Sequence, residues 1–322
     1  MNPDVVSIGE ALVDFLPDAR GRRVRDVASW QPCLGGAPAN VAVGLARLGG
    51  SSALVAVTGQ DEFGHFIRES LEREGVDVSR VRQTDEGRTG LGFVSLTRQG
   101  ERSFTFYRTQ AAETFLGPKD TAGAKALIAS ARVVHVGTNS LLQPAAREAV
   151  LGTVQAAAAR GQLTSTDPNL RLHLWSKPSV LKALVAELVA SCAVVKLSEE
   201  EIAFVTGAKS PERALDWLER KGALLSVVTL GAKGAVLRFA GFTRQVPAVK
   251  VKVVDTTGAG DGFMAGLLYG VTRMYSSREE LEGGDVEALE GHARFGCVVG
   301  SHVVTKLGAV AGLPTLRQLG VR

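Results

Sequence analysis

The chain has 322 residues, 45% hydrophobic and 22% charged, which is enough apolar material for a sizeable core and excludes an intrinsically disordered protein. The formal net charge of +4 comes from Lys and Arg scattered without aromatic-interleaved blocks, which argues against a nucleic-acid partner. Three cysteines, Cys33, Cys192 and Cys297, are few, odd in number and far apart, which fits a reduced, cytoplasmic setting, and neither a signal peptide nor a membrane-spanning apolar run is read anywhere.

In chain order, β-rich apolar runs are expected over Val5 to Gly9, Ser52 to Val57, Val133 to Val136, Gln162 to Thr166, Ala193 to Val195 and Leu225 to Leu230. Between them, period and length predict helices over Ala39 to Leu48, Phe63 to Glu74, Pro144 to Arg160, Pro178 to Ser191 and Glu199 to Thr206. That alternation predicts an α/β chain with a mostly parallel sheet. Two stretches, about 12–34 and 89–109, break it and read as strands with little helix, the second turning at Gln99-Gly100. Together they predict a small accessory sheet, discontinuous in sequence, placed as a flap over a cleft.

Towards the C-terminus, Val251 to Val254 reads as a strand and Gly260 to Tyr275 as a helix, with Asp255-Thr256-Thr257-Gly258-Ala259-Gly260-Asp261 at the turn between them. A helix start offers unpaired backbone N–H groups and a positive dipole end, and small residues leave room for an anion there. The turn has no Gly-Lys-Ser/Thr ending, and Phe263 stands where a dinucleotide fingerprint needs glycine. Asp261, directly after the anion cradle, could take a proton from a hydroxyl attacking a phosphate. On this turn alone it could equally be an acid that stabilises a helix start.

With Gly35-Gly36-Ala37-Pro38-Ala39-Asn40-Val41-Ala42 near the other end, the chain resembles the PfkB, or ribokinase-like, family of carbohydrate kinases. The resemblance runs from Gly9-Glu10 to Lys306-Leu307-Gly308-Ala309. It implies one kinase domain over 1–322, a three-layer αβα sandwich with a β-sheet lid, ATP and magnesium as cofactors, and a sugar as the small-molecule partner. A homodimer through the lid and a potassium requirement are further expectations.

The resemblance assigns roles residue by residue. Asp261 becomes the base, and Gly258, Ala259 and Gly260 bind the transferring phosphoryl group. Thr229, Gly231 and Gly234 look like the nucleotide-binding loop, with Cys297 near the base where relatives commonly have Asn. Lys196-Leu197-Ser198-Glu199 occupies the place of the family's Asn-x-x-Glu, so Lys196 is expected near the nucleotide and Glu199 near hydrated magnesium. Asp255 and Thr257 resemble residues framing a monovalent-cation site. Asp14, Gly35, Gly36 and Asn40 match positions that grip sugar hydroxyls, and an acid and an amide suit a polyol.

The lid run through Phe106-Tyr107-Arg108 and the Asp167-Pro168-Asn169-Leu170-Arg171 segment look like the fructokinase branch, with Arg108, Asn169 and Arg171 toward the sugar. Kinases of 2-keto-3-deoxygluconate use a similar lid but offer a tyrosine near the position of Gly92, which tilts the reading to fructose and its 6-hydroxyl. Ala111-Ala112-Glu113 stands where fructokinases often have Ser-Ala-Asp. Another sugar or nucleoside kinase is the alternative within the family, and a sugar- or nucleotide-binding regulator without turnover is the alternative outside enzymes.

Overall fold

The expected apolar runs line up side by side in the computed structural model, which describes residues 2–19, 21–96 and 102–321. Strands β1 (Val5–Ile8), β2 (Leu12–Pro17), β3 (Trp30–Gly35), β4 (Ser52–Gly59), β5 (Asp77–Thr84), β6 (Leu91–Leu96) and β7 (Arg102–Tyr107) come first. They are followed by β8 (Val133–Val136), β9 (Leu163–Thr166), β10 (Val194–Ser198), β11 (Leu225–Thr229), β12 (Ala235–Phe239) and β13 (Phe242–Val246). Nine of these form one sheet in the order β13-β12-β11-β10-β9-β8-β1-β4-β5, and β3-β2-β6-β7 form a second.

From β5 to β11 every pairing in the large sheet is parallel; only the β12 and β13 edge runs antiparallel. Parallel strands are covered on both faces and so read as continuous Val-rich runs. On one face Val6, Ile8, Val55, Val134 and Val195 pack under the Pro144–Ala159, Pro178–Ala190 and Pro211–Arg220 helices. On the other, Val5, Val133, Leu163 and Val194 meet the Ala37–Arg47, Ala259–Met274 and Val286–Val303 helices. The result is the three-layer αβα sandwich with a lid that was expected.

The order of the strands places the site. From β1 the chain builds outward to β4 and β5, and from β8 it builds the other way to β11, so the direction reverses between β1 and β8. In open α/β sheets the crevice at the carboxyl ends of such a reversal is where ligands bind.

Three departures have physical causes. Val251 to Val254 is irregular backbone, not a strand, because no sheet edge reaches it; Val251 and Val253 stay exposed on the rim of a cleft. The helix expected from Glu199 begins only at Ile202, because the backbone from 199 to 201 is a turn. The β12–β13 hairpin turns at Ala240 and Gly241, both at positive φ (47° and 77°), a primed turn without the usual Asn-Gly signal. The accessory sheet has four strands, drawn from the two stretches read as its source, while the expected Gln99-Gly100 turn lies outside the described residues.

Candidate active site

The turn before the Ala259–Met274 helix is a thin wall between two cavities. Thr256, Ala259 and Gly260 face a cleft of about 410 Å³, whereas Thr257, Gly258 and Asp261 face a smaller cavity of about 80 Å³. Gly258 caps the helix at φ 76°, and a side chain there would meet the backbone of Ala309, so the tight turn needs glycine. The N-terminal amides of a sixteen-residue helix therefore point at the junction of the two cavities.

The larger cleft is mostly carbon. Ala232, Ala248, Val249, Val253, Phe263 and Cys297 line it, and Thr229, Gly231 and Gly234 form one end. It brings together all the residues expected at the nucleotide except Lys196. Apolar walls with a glycine loop at one end suit a heterocyclic base carrying phosphates.

The smaller cavity is polar. Asp14, Gly36, Asn40, Arg108, Asn169, Arg171 and Asp261 converge on it. Asn40 donates through Nδ2 to Asp261 at 2.7 Å, joining the two signatures across the fold. Asp14 lies on the inner face of the lid. A Cβ on Gly35 or Gly92 would come within 2.3 Å or 2.6 Å of its carboxylate, so both glycines make room for it. The loop after β9 is shaped by Asp167, which accepts from Asn169 N while Asn169, at φ 45°, accepts from Arg171. Three buried atoms facing this region, Asn40 Oδ1, Arg108 Nη2 and Asn139 Oδ1, find no hydrogen-bond partner among the described residues. Buried polar atoms rarely stay so, and a polyhydroxylated ligand would satisfy them.

The electrostatics follow from burial. Loss of water pushes the Asp261 carboxyl up to about 6, against the pull of the Asn40 amide and with the push of the Asp167 charge. Burial likewise raises Asp14 to about 7 despite Arg108 and Arg171. Burial lowers the Lys196 pKa, but Asp167 and then Glu201 more than offset it, so the ammonium stays charged.

Several residues stand elsewhere than the motif reading expects. Lys196 does not line the nucleotide cleft; it is buried, paired with Asp167 at 2.7 Å, and a methyl on Gly260 would lie 2.9 Å from its Nζ. Glu199 is half exposed, 3.8 Å from Lys233, whereas Glu201 is buried and accepts from Leu170 N, Ser198 N and Ser198 Oγ. Starting the Asn-x-x-Glu pattern at Ser198 makes Glu201 its acid. Asp255 accepts from Thr257 N, Thr257 Oγ1 and Gly308 N, so its carboxylate staples the loop before the turn.

Glu10, Asn139 and Asp167 were not among the expected site residues. They follow β1, β8 and β9, so the sheet order alone gathers them; Glu10 and Asn139 line the polar cavity, and Ser140 donates to Glu10 at 2.9 Å. Among the described residues no helix is long and apolar enough to cross a membrane, and no cluster of three His, Cys, Asp or Glu forms a protein-only metal site.

Comparison with known proteins places this architecture. Residues 2–316 match the family model for pfkB family carbohydrate kinases. Fructokinase-2 of Solanum lycopersicum is 39% identical over 315 residues, 98% of this chain and 94% of that one. A fructokinase from Xylella fastidiosa with bound ATP superposes with a TM-score of 0.88 at 31% identity, covering 98% of this chain and 97% of the other. A fructokinase from Vibrio cholerae O395 in a fructose, ADP and calcium ion bound form gives 0.86 at 35% identity, covering 98% of both.

Proposed function

The chain belongs to the pfkB family of carbohydrate kinases, a phosphotransferase with an alcohol acceptor, and from that premise we propose that it transfers the γ-phosphoryl group of ATP to the 6-hydroxyl of fructose. The observation that carries this reading is the back-to-back pair of cavities, with Asp261 on the polar side and Gly260 on the apolar side of one turn. The relatives with fructose and ATP in their names support both ligands.

In this mechanism Asp14, Asn40 and Arg108 hold the sugar hydroxyls and Asn169 and Arg171 form the opposite wall. Asp261 takes the proton of the attacking hydroxyl. The helix-start amides at Gly258, Ala259 and Gly260 meet the charge on the moving phosphoryl group. Lys196 adds a fixed positive charge behind Gly260. Magnesium, when bound, would supply charge neutralisation at the phosphates, and Glu199 and Glu201, in the turn after β10, are the carboxylates that would help to hold it. A potassium ion, when bound, would be held at Asp255 and Thr257, the oxygen donors the resemblance names for it, and no residue role above depends on it.

A coupled assay with ATP and magnesium tests the reading. Fructose is expected to exceed ribose, glucose, adenosine and 2-keto-3-deoxygluconate in kcat/KM, and turnover should cease without a divalent ion. Better turnover on another acceptor would replace fructose, and none at all would favour a regulator.

The domain is read as continuous over 1–322, with the lid closing on the sugar. Its outer face stacks Phe15 on Phe93 and sets Trp30 and Tyr107 edge-on to Phe93, with Tyr107 64% exposed. A second copy of the chain would cover this face. Sedimentation is expected to give twice 33.9 kDa for the wild type and the monomer mass for Tyr107→Asp; a monomeric wild type would rule this out. Three cysteines without disulfides support a reducing compartment, the cytoplasm, which cell fractionation checks.

A further inference from the structure

Glu113 has no role in the mechanism above, yet it sits where the lid joins the body. The chain enters the lid through Gly90 before β6 and leaves it through Arg108 after β7. Glu113 follows in a short 3-10 helix, Ala112–Phe115. Its Oε1 accepts from Arg108 Nε at 2.7 Å, and a methyl on Gly90 would come within 2.3 Å of the same oxygen. The carboxylate therefore lies against the entering connection at Gly90 while it holds the leaving one at Arg108. Ala112 N to Arg88 O at 2.7 Å and Ala111 N to Arg108 O at 3.2 Å stitch the two connections together beside it.

Arg108 and Glu113 are both buried, and each keeps one atom, Nη2 and Oε2, without a partner among the described residues. A buried ion pair is favourable only when its remaining hydrogen-bonding groups are also satisfied. Arg108 lines the polar cavity, so a ligand hydroxyl is the partner its Nη2 requires.

We propose that Glu113 determines acceptor specificity: it aims the Arg108 guanidinium at the sugar and cancels its charge, so that Arg108 serves a neutral polyol and not a carboxylate. This rests on the fructose reading. An arginine without a counter-charge binds carboxylates in a two-pronged fashion, which would favour a sugar acid. The acids Glu10, Asp14 and Asp261 line the cavity with the bases Arg108 and Arg171, Glu113 pairs with Arg108 beside it, and a carboxylate on the acceptor would add to the acidic side.

Steady-state kinetics on fructose and on 2-keto-3-deoxygluconate, with wild type, Glu113→Gln and Glu113→Asp, test this. Glu113→Gln is expected to raise KM for fructose by about tenfold or more, the scale of a hydrogen bond to a charged group, with KM for ATP unchanged. The kcat/KM ratio of sugar acid to fructose should rise by at least about tenfold. Glu113→Asp keeps the charge but shortens the reach, so it should raise KM for fructose without moving the ratio; this arm stands even if Glu113→Gln fails to fold. An unchanged ratio in folded Glu113→Gln, or an unchanged fructose KM in Glu113→Asp, overturns the proposal. A wild type inactive on fructose overturns the substrate reading beneath it, which is a distinguishable result.

Discussion

Replacing Asp261 by Asn is expected to lower kcat on fructose by roughly 100-fold to 10,000-fold, the range for removing a positioned general base. Asn keeps the size of the side chain and can still accept the Asn40 hydrogen bond, but it cannot take the hydroxyl proton. Burial raises the wild-type carboxyl to about 6 in the free protein, and only its ionised form is a base, so kcat/KM should fall as pH drops through that value and level off above it. The acid limb should vanish from what activity the variant retains. The stability sign runs opposite to that of an ordinary salt-bridged acid. A carboxyl whose folded pKa lies above its unfolded value of 3.8 binds its proton more tightly in the native state, so the stability it contributes at low pH is lost as pH rises through about 6. At neutral pH the Asn variant should thus melt no lower than wild type. Near-normal turnover by a folded variant would refute the assignment of the base.

The residues that were legible in the sequence are those whose chemistry is local. Gly258, Ala259 and Gly260 show an anion cradle within one turn, because a tight backbone there demands small residues in a row, whereas Asp261 is read as a base only with the second motif, Gly35 to Ala42. Of the lid strands, β6 and β7 were legible from alternation, while Asp14 on β2 was placed by the resemblance; Asp14, Gly92 and Phe106 face the cavity side and Phe15, Phe93 and Tyr107 face out. What escaped depends on packing between distant segments. Glu10, Asn139 and Asp167 meet only because β1, β8 and β9 are neighbours, and strand order is not written in any one stretch. In the run Glu199-Glu200-Glu201 three identical side chains gave no sign of which would turn inward; hydrogen bonds from Leu170 and Ser198 decide it. Val251 to Val254 misled because a ligand cleft keeps apolar residues at its rim as readily as a sheet does.

Lys196 is the residue whose expected place the fold alters most, and Lys196→Met is the variant that separates its ion pair with Asp167 from the proposed role at the phosphoryl group. Its ammonium and the Asp167 carboxylate are both buried, 2.7 Å apart, and Asp167 also holds Asn169 N. Met removes the charge with little change in length and leaves Asp167 ionised without its partner. Breaking a buried pair from one side costs about 3–5 kcal/mol, so a marked drop in melting temperature is expected. Adding Asp167→Asn removes the stranded charge while keeping an acceptor for Asn169 N, so the double variant should recover most of that stability. Activity should not recover with it. If the ammonium behind Gly260 stabilises charge on the moving phosphoryl group, kcat stays depressed by at least roughly 100-fold in the double variant, the scale seen when one such donor is lost. A double variant that regains both stability and turnover would reduce Lys196 to a structural counter-ion for Asp167, and the anion hole would then consist of the helix-start amides alone.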